Sequence, residues 1–382
     1  MHIKSIFIHK KNTTMKNIIP FVLFLSITTI AFTACKKKGC TDPTATNYNE
    51  NAEKEDGSCV YPAPEGTTVQ HIIYGADPRQ NFDLFLPSGH DENTKTVVLV
   101  HGGGWVMGPL ADSAVILFGE AGIDITDRLL NSGYAVAIMK YRLACYTEDV
   151  ALVAHPPFDY MQTIIEDIDL TIEKLKTDAA TLQISATNFA LLGESAGGHI
   201  ALMYALRSDD PTLKTVISFY GPTLLDEEVF KHKSGTTFSH FPLNTTFSLS
   251  DRAMACEMRT SGTMNILWGL SSFVGTELET GTTNPSFTDT LSPAYSNNIT
   301  RNLPVFLLHG KGDSLVPSGH ADSLMAQLNL KFGTTPTPTG DFTGQHKLKK
   351  YNNCGHGWAN LGGSCNKGEI RNDVMSWLAE HF

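Results

Sequence analysis

Phe189-Ala-Leu-Leu-Gly193-Glu194-Ser195-Ala196-Gly197-Gly198-His199-Ile-Ala-Leu202 is the stretch whose reading decides the fold. Phe189 to Leu192 is a short apolar run of buried-strand character, and the residues from Gly198 onward are compatible with a helix. Between them Gly193-Glu194-Ser195-Ala196-Gly197 spells G-x-S-x-G, a serine at the apex of a strand–turn–helix, the pattern of a nucleophile elbow. The chemistry asks for these residue types. A reactive hydroxyl must project from a sharp turn, so its neighbours must be small. Gly193 and Gly197 let strand and helix approach closely, and the Ala196 N–H is available to a developing oxyanion. By itself G-x-S-x-G could be a Gly-rich turn, so the rest of the chain has to supply the partners.

Working outward, apolar strands alternate with helical stretches from about residue 66. Val69-Gln-His-Ile-Ile-Tyr74 and Asn81-Phe-Asp-Leu-Phe-Leu86 read as an antiparallel pair. Thr96-Val-Val-Leu-Val100, Ala135-Val-Ala-Ile-Met139, Thr215-Val-Ile-Ser-Phe219, Pro304-Val-Phe-Leu-Leu308 and Lys347-Leu-Lys-Lys-Tyr351 read as further strands. Ile164, Ile165, Ile168, Ile172 and Leu175 recur at helical spacing, and another helix is expected through 125–130. Repeated βα units with solidly apolar strands predict an α/β fold, a mostly parallel sheet with helices on both faces. Residues 223–302 break the rhythm and are rich in Ser, Thr and Gly, so they are expected to form an inserted lid or pocket wall.

A serine nucleophile needs a base, a group to orient the base, and donors for the oxyanion. After the strand ending at Leu308 stands His309-Gly-Lys-Gly-Asp313-Ser-Leu-Val316-Pro317, which offers Asp313 as the acid, with Asp289 and Asp322 as alternatives. After the last strand comes Asn352-Asn-Cys354-Gly-His356-Gly-Trp358, which offers His356 as the base. His101, His199 and His309 lie in motifs with structural explanations, and His346 precedes its strand. His101-Gly102-Gly103-Gly104-Trp105 directly follows the strand ending at Val100. Its glycines can turn backbone N–H groups toward a substrate oxygen, so Gly103, Gly104 and Ala196 are the expected oxyanion hole, with His101 bracing the loop. Trp105, Tyr146 and Trp358 are the candidate substrate-binding residues.

These three motifs in this order resemble the α/β-hydrolase superfamily. H-G-G-G-W together with G-E-S-A-G-G-H is similar to its esterase branch, akin to hormone-sensitive-lipase-like and bacterial feruloyl-esterase-like enzymes. Tyr141-Arg142-Leu143, Leu291-Ser-Pro-Ala-Tyr295 and Val316-Pro317 fit the same pattern. The resemblance implies an α/β-hydrolase domain over 65–382 and a Ser-His-Asp serine carboxylesterase acting through an acyl-enzyme, with no metal and no cofactor. The chain departs from the pattern at 144–157, which is long, and at 333–344, an extra Pro/Thr/Gly stretch. The alternatives are an amidase, peptidase or arylformamidase-like hydrolase on the same fold, or a non-catalytic surface binding protein.

The N-terminus tells of export. Met15 is a second plausible start, and a basic segment and an apolar run, 18–32, precede Thr33-Ala34-Cys35. The run is about fifteen residues, short of the roughly 20 a spanning helix needs, so 1–34 reads as a signal peptide. Phe32-Thr33-Ala34-Cys35 resembles a bacterial lipoprotein box, with Phe where Leu is usual, which makes Cys35 the lipidation site. Residues 35–64 are a polar, acidic spacer bounded by Cys40 and Cys59. It is similar to a repeat near the termini of secreted proteins from Bacteroidetes-type bacteria. Asp42, Asn47, Asn49, Asn51 and Asp56 offer oxygens that could hold a structural Ca²⁺ in 40–59, though not at EF-hand spacing. Fully extended, such a spacer reaches up to about 100 Å, ample for a tether. The destination is the bacterial envelope, periplasmic or cell-surface, or the medium.

Seven cysteines minus Cys35 leave six, an even number that an exported chain can pair. Cys40 with Cys59 and Cys354 with Cys365 are the candidate disulfides; Cys145 with Cys256 follows only by elimination. No spacing suits zinc. The chain carries a net charge of −10. Residues 1–34 hold four lysines and no acid, so the remainder has 25 basic and 39 acidic side chains, net −14. That balance argues against nucleic acid or an anionic lipid surface as partner. The expected substrate is a small-molecule or polymer-borne ester, such as acetylated or feruloylated polysaccharide.

Overall fold

Strands that are apolar on both faces, as most of β5, β6 and β7 are, can persist only when both faces are covered, and that is how the middle of this sheet is built. The computed structural model describes residues 37–39, 48–55, 68–105, 125–143, 157–225, 291–333 and 345–382, all within one compact unit, Lys37–Phe382. Two short strands, β1 (Lys38–Gly39) and β2 (Lys54–Glu55), pair in parallel within the spacer. The main sheet comprises β3 (Thr68–Ile73), β4 (Asn81–Leu86), β5 (Thr96–Val100), β6 (Ala135–Met139), β7 (Phe189–Glu194), β8 (Leu213–Phe219), β9 (Val305–Gly310) and β10 (His346–Tyr351). Its order is β10-β9-β8-β7-β5-β6-β4-β3. The pairings of β4 with β3 and with β6 are antiparallel, and the rest are parallel.

Successive residues of one strand feed opposite cores, as a pleated backbone requires. Val98 and Val100 of β5 join one core, with Ile164, Ile168, Ile172 and Leu175 of α2 (Pro157–Leu182), Ile200 and Leu202 of α3 (Ala196–Ala205), and Leu324 and Leu328 of α4 (Gly319–Phe332). Val97 and Leu99 join the other, with Leu129 and Leu130 of α1 (Thr126–Asn131) and Ile370, Val374 and Leu378 of α5 (Lys367–His381). This is the expected mostly parallel α/β-hydrolase sheet with helices on both faces. The helix read around Ile164–Leu175 runs longer, over α2, and α4 and α5 were not anticipated. The signal for α5 is its cap, because Asn366 Oδ1 accepts the Glu369 backbone N–H at 3.2 Å.

Among the described residues no helix is long and apolar enough to cross a membrane, and no group of three or more His, Cys, Asp or Glu could hold a metal ion. The expectations for Cys35, Cys40, Cys59, Cys145, Tyr146 and Cys256, for residues 226–290 of the inserted region, and for most of 40–59 lie outside the described residues.

The sheet and its helices meet most tightly at the turn after β7. A Cβ on Gly193 would run into the Gly197 backbone, and one on Gly197 would run into the carbonyl oxygens of Val100 and His101. Gly197→Ala is therefore expected to lower the urea unfolding midpoint by an amount worth about 1–3 kcal/mol, since neither backbone can retreat. Gly89→Ala, in open space at φ 74°, should cost only about 1–2 kcal/mol from its left-handed backbone. A Gly197→Ala protein with the wild-type midpoint would mean that helix and sheet are not locked at this point.

Candidate active site

Ser195 occupies the turn between β7 and α3 with φ 51° and ψ −120°, a conformation that costs a non-glycine residue strain. Its neighbours hold it there: the Ser195 N–H donates to the Phe219 carbonyl at 2.9 Å, and its carbonyl accepts the His199 N–H at 3.0 Å. The result is a hydroxyl standing clear of the sheet at the C-terminal end of β7, only half-buried.

The loops after β9 and β10 bring Asp313 and His356 to the same edge. His356 Nδ1 lies 2.8 Å from Asp313 Oδ2 and His356 Nε2 lies 3.0 Å from Ser195 Oγ. An ionised carboxylate can only accept, so Nδ1 carries the proton and donates to Asp313. This leaves Nε2 as the acceptor for the serine hydroxyl. Asp313 is buried, and burial alone would raise its pKa. Hydrogen bonds from His309 and His356 outweigh burial and hold the carboxyl down to about 2. Oδ1 also accepts the Leu315 and Val316 N–H groups at 3.0 and 2.9 Å. The acid therefore stays ionised through any ordinary pH. The His309 Nε2–H is shared: it donates to the Val316 carbonyl at 2.8 Å and reaches Asp313 Oδ2 at 3.5 Å.

The glycine loop after β5 runs beside the serine, since a Cβ on Gly102 would sit 3.2 Å from Ser195 Cβ. Gly103 and Gly104 have φ 108° and 59°, and Trp105 follows at 63°; the first two values are easy for glycine alone. Ala196, the third expected donor, opens α3. His101 braces this loop. It is buried, stacks on Tyr141 at 4.2 Å, and donates from Nδ1 to the Gly102 carbonyl at 2.6 Å. The Tyr141 hydroxyl donates to the carbonyls of His101 and Gly102 at 3.0 and 3.3 Å. Asp167, fully buried, accepts from Arg142 and Gln80 and so holds the segment carrying Tyr141.

Two polar residues at the site escaped the sequence reading. Glu194, the residue before the serine, is buried; its carboxylate accepts the Tyr220 hydroxyl at 2.8 Å and the Gly102 N–H. Burial raises its pKa, against the pull of those two donors and of His356. Tyr220, at φ 41°, lays its ring 4.7 Å from the His356 imidazole. Glu194 sat in view as the variable position of G-x-S-x-G; for Tyr220 the only signal was its place after β8. The aromatic expectations need correcting. Trp105 is 1% exposed and Trp358 is fully buried, so both pack rather than face a substrate. Trp358 lies edge-on to Phe219, Tyr220 and Tyr351. Cys354 and Cys365 are joined by a disulfide, Cα–Cα 4.8 Å, across the loop that carries His356.

A family model named BD-FAE matches residues 82–328 of the chain. Among curated proteins, the isoprenylcysteine alpha-carbonyl methylesterase ICME of Arabidopsis thaliana is 27% identical over 143 residues. The match takes in 37% of this chain and 29% of that protein. A probable methylesterase of the same kind from Oryza sativa subsp. japonica, ICMEL1, is 28% identical over 130 residues, 34% of this chain and 26% of its own. The chain thus spans under a third of the length of these curated relatives. Among solved structures, a truncated carbohydrate esterase from gut microbiota aligns over 83% of this chain and all of its own, at TM-score 0.52 and 16% identity. A propionate-bound thermophilic esterase from Thermogutta terrifontis aligns over 84% of this chain and 96% of its own, at TM-score 0.52 and 17% identity. These two likenesses are of fold.

Burial also sets an acid limit on stability. It lowers His101 from 6.5 to about 3 and His199 from 6.5 to about 4, against the pull of the Gly102 and Leu291 carbonyls. Between pH 6.5 and 4 the unfolded chain binds protons at these positions and the folded chain does not. Stability therefore rises with pH through that window and is lost as pH falls. Urea midpoints should be lower at pH 5 than at pH 7. His199→Gln should flatten the dependence by up to about 1.4 kcal/mol per pH unit, one proton's worth. A variant as steep as the wild type would show that His199 takes up its proton without unfolding the protein.

Proposed function

Because the chain belongs to the BD-FAE family, an esterase family of α/β-hydrolase fold, we propose that it is a serine carboxylesterase working through an acyl-enzyme on Ser195. The observation that carries the reading is the unbroken hydrogen-bonded line from Ser195 Oγ through His356 to Asp313, at 3.0 and 2.8 Å. Both carboxylic-ester activity and this line point the same way: relatives and structural neighbours carry esterase names, and the line has the geometry an activated serine needs.

In the reaction, Ser195 Oγ attacks the ester carbonyl carbon while His356 Nε2 takes the hydroxyl proton. The carbonyl oxygen gathers negative charge and rests on the N–H groups of Gly103, Gly104 and Ala196; losing one such donor typically costs about 3–4 kcal/mol. His356 then gives the proton to the leaving alcohol, the C–O bond breaks, and Ser195 holds the acyl group. A water molecule, deprotonated by His356 in its turn, attacks the acyl carbon and releases the acid. Asp313, held ionised, steadies the imidazolium in both halves and keeps its tautomer correct.

The substrate in this reading is a carboxylic ester, free or carried on a polymer. We read Cys35 as the lipidated first residue of the mature protein and 35–64 as its tether, with the enzyme on the envelope or outside the cell. The sequence pattern of 15–35 supports this, as does a disulfide at Cys354 and Cys365.

The test is hydrolysis of p-nitrophenyl acetate, butyrate and octanoate by the purified protein, with Ser195→Ala beside it. Wild-type turnover that falls at least about 10⁴-fold in the variant is expected, and the chain-length profile reports the acyl pocket. Equal turnover by the two proteins would remove Ser195 from the reaction. No turnover by either would sink the esterase reading.

A further inference from the structure

His199 has no part in the proton transfers above, yet it is fully buried one turn beyond the nucleophile and both of its ring nitrogens are engaged. The Trp105 indole N–H donates to His199 Nδ1 at 3.3 Å, with the two rings edge-to-face at 5.3 Å. His199 Nε2 lies 2.7 Å from the Leu291 carbonyl oxygen. An indole can only donate and a carbonyl can only accept, so one tautomer satisfies both contacts: Nδ1 bare, Nε2 protonated. The ring therefore works as a clamp with fixed polarity. One jaw holds Trp105, the end of the glycine loop, and the other holds the segment leading to β9. The His199 backbone is tied to Ser195 by its own N–H. Trp105, unlike the three glycines before it, carries a side chain and sits at φ 63°, a conformation that costs energy unless its surroundings hold it.

We propose that His199 is a positioning residue for the oxyanion hole: by holding the Trp105 indole it sets where the Gly103 and Gly104 N–H groups stand relative to Ser195 and Ala196. This rests on the reading of those N–H groups as oxyanion donors. Its effect is on the transition state, because a loop displaced by a fraction of an ångström binds the ester as before and the tetrahedral oxyanion less well.

Three variants test it. His199→Gln keeps an acceptor for the indole and a donor for the carbonyl, His199→Leu removes both at similar volume, and Trp105→Phe removes only the indole N–H. For p-nitrophenyl acetate, His199→Leu is expected to lose about 10- to 100-fold in kcat with KM within about twofold. Its affinity for a trifluoromethyl ketone, which forms a tetrahedral oxyanion on serine, should fall by the same factor. Trp105→Phe should move in the same direction, and His199→Gln should recover most of the loss. A second readout needs no turnover. In ¹⁵N-indole-labelled protein the resonance missing from Trp105→Phe should be slow to exchange in wild type and His199→Gln, and fast in His199→Leu. Fast exchange in wild type would overturn the clamp, and slow exchange with unchanged kcat in His199→Leu would overturn its positioning role. An inactive wild type with a slow-exchanging indole would keep the clamp, but it would refute both the esterase reading and the oxyanion role built on it.

Discussion

The structure depends on a close approach: the turn after β7 and the first residues of α3 press against the end of β5 with no room for a Cβ at Gly193 or Gly197. That contact forces Ser195 into φ 51° and ψ −120°, at a cost of order 1–3 kcal/mol. The return is geometric. The hydroxyl points away from the sheet, and the first N–H of the helix lies next to it. Strain of this kind is not confined to the serine. Trp105, Tyr220 and Trp358 also have positive φ, and all belong to loops at the C-terminal ends of strands. Strained non-glycine residues along this edge can persist only because the sheet behind them is packed on both faces.

Two buried carboxylates near the serine respond to burial in opposite ways, and the donor count explains which effect wins. Burial opposes charge on both. Asp313 answers with two backbone N–H groups and two histidines, enough to hold it near 2. Glu194 has one backbone N–H and one tyrosine hydroxyl, and its pKa ends up raised. The difference separates their uses. Asp313 is a fixed charge behind the imidazole, whereas Glu194 joins the glycine loop to Tyr220 and hence to the ring of His356.

Most of the sheet was legible because each strand announces itself: Val97–Val100 and Ala135–Met139 are apolar throughout, and β3 and β4 were read to within a residue. The stations of the site were legible for a related reason. A serine between glycines after a strand, a glycine run after another, and a histidine between glycines after a third are local patterns, and local patterns survive in a linear string. What escaped was the contact made across long separations. Nothing in Trp105 or Trp358 tells whether an indole faces a cleft or a core; the answer depends on Phe219, Tyr220 and His199, which are remote in sequence. α4 and α5 are legible by the same rule, though they were passed over, since Ala321, Leu324, Met325 and Leu328, and Ile370, Val374, Trp377 and Leu378, recur at helical spacing and are buried.

The base station shows why residues with no chemistry of their own are indispensable. The His356 loop is held from three sides. On the acid's side, the Gly312 N–H donates to the Cys354 carbonyl at 3.0 Å and the Lys311 N–H to the Tyr351 carbonyl at 2.9 Å, so the loops after β9 and β10 move as one. A Cβ on Gly310 would strike the same Cys354 carbonyl, which keeps that approach as tight as the one at the nucleophile. Beneath it, Trp358 fills the core between Phe219 and Tyr351. Beyond it, the disulfide to Cys365 ties the loop to the start of α5, whose Trp377 indole donates to Thr215 Oγ1 of β8 at 2.8 Å. A helix at the end of the chain thus reaches back through the sheet to fix an imidazole within 3.0 Å of the serine. The precision of the site is a property of the whole packed unit, and the motif residues only mark where it is used.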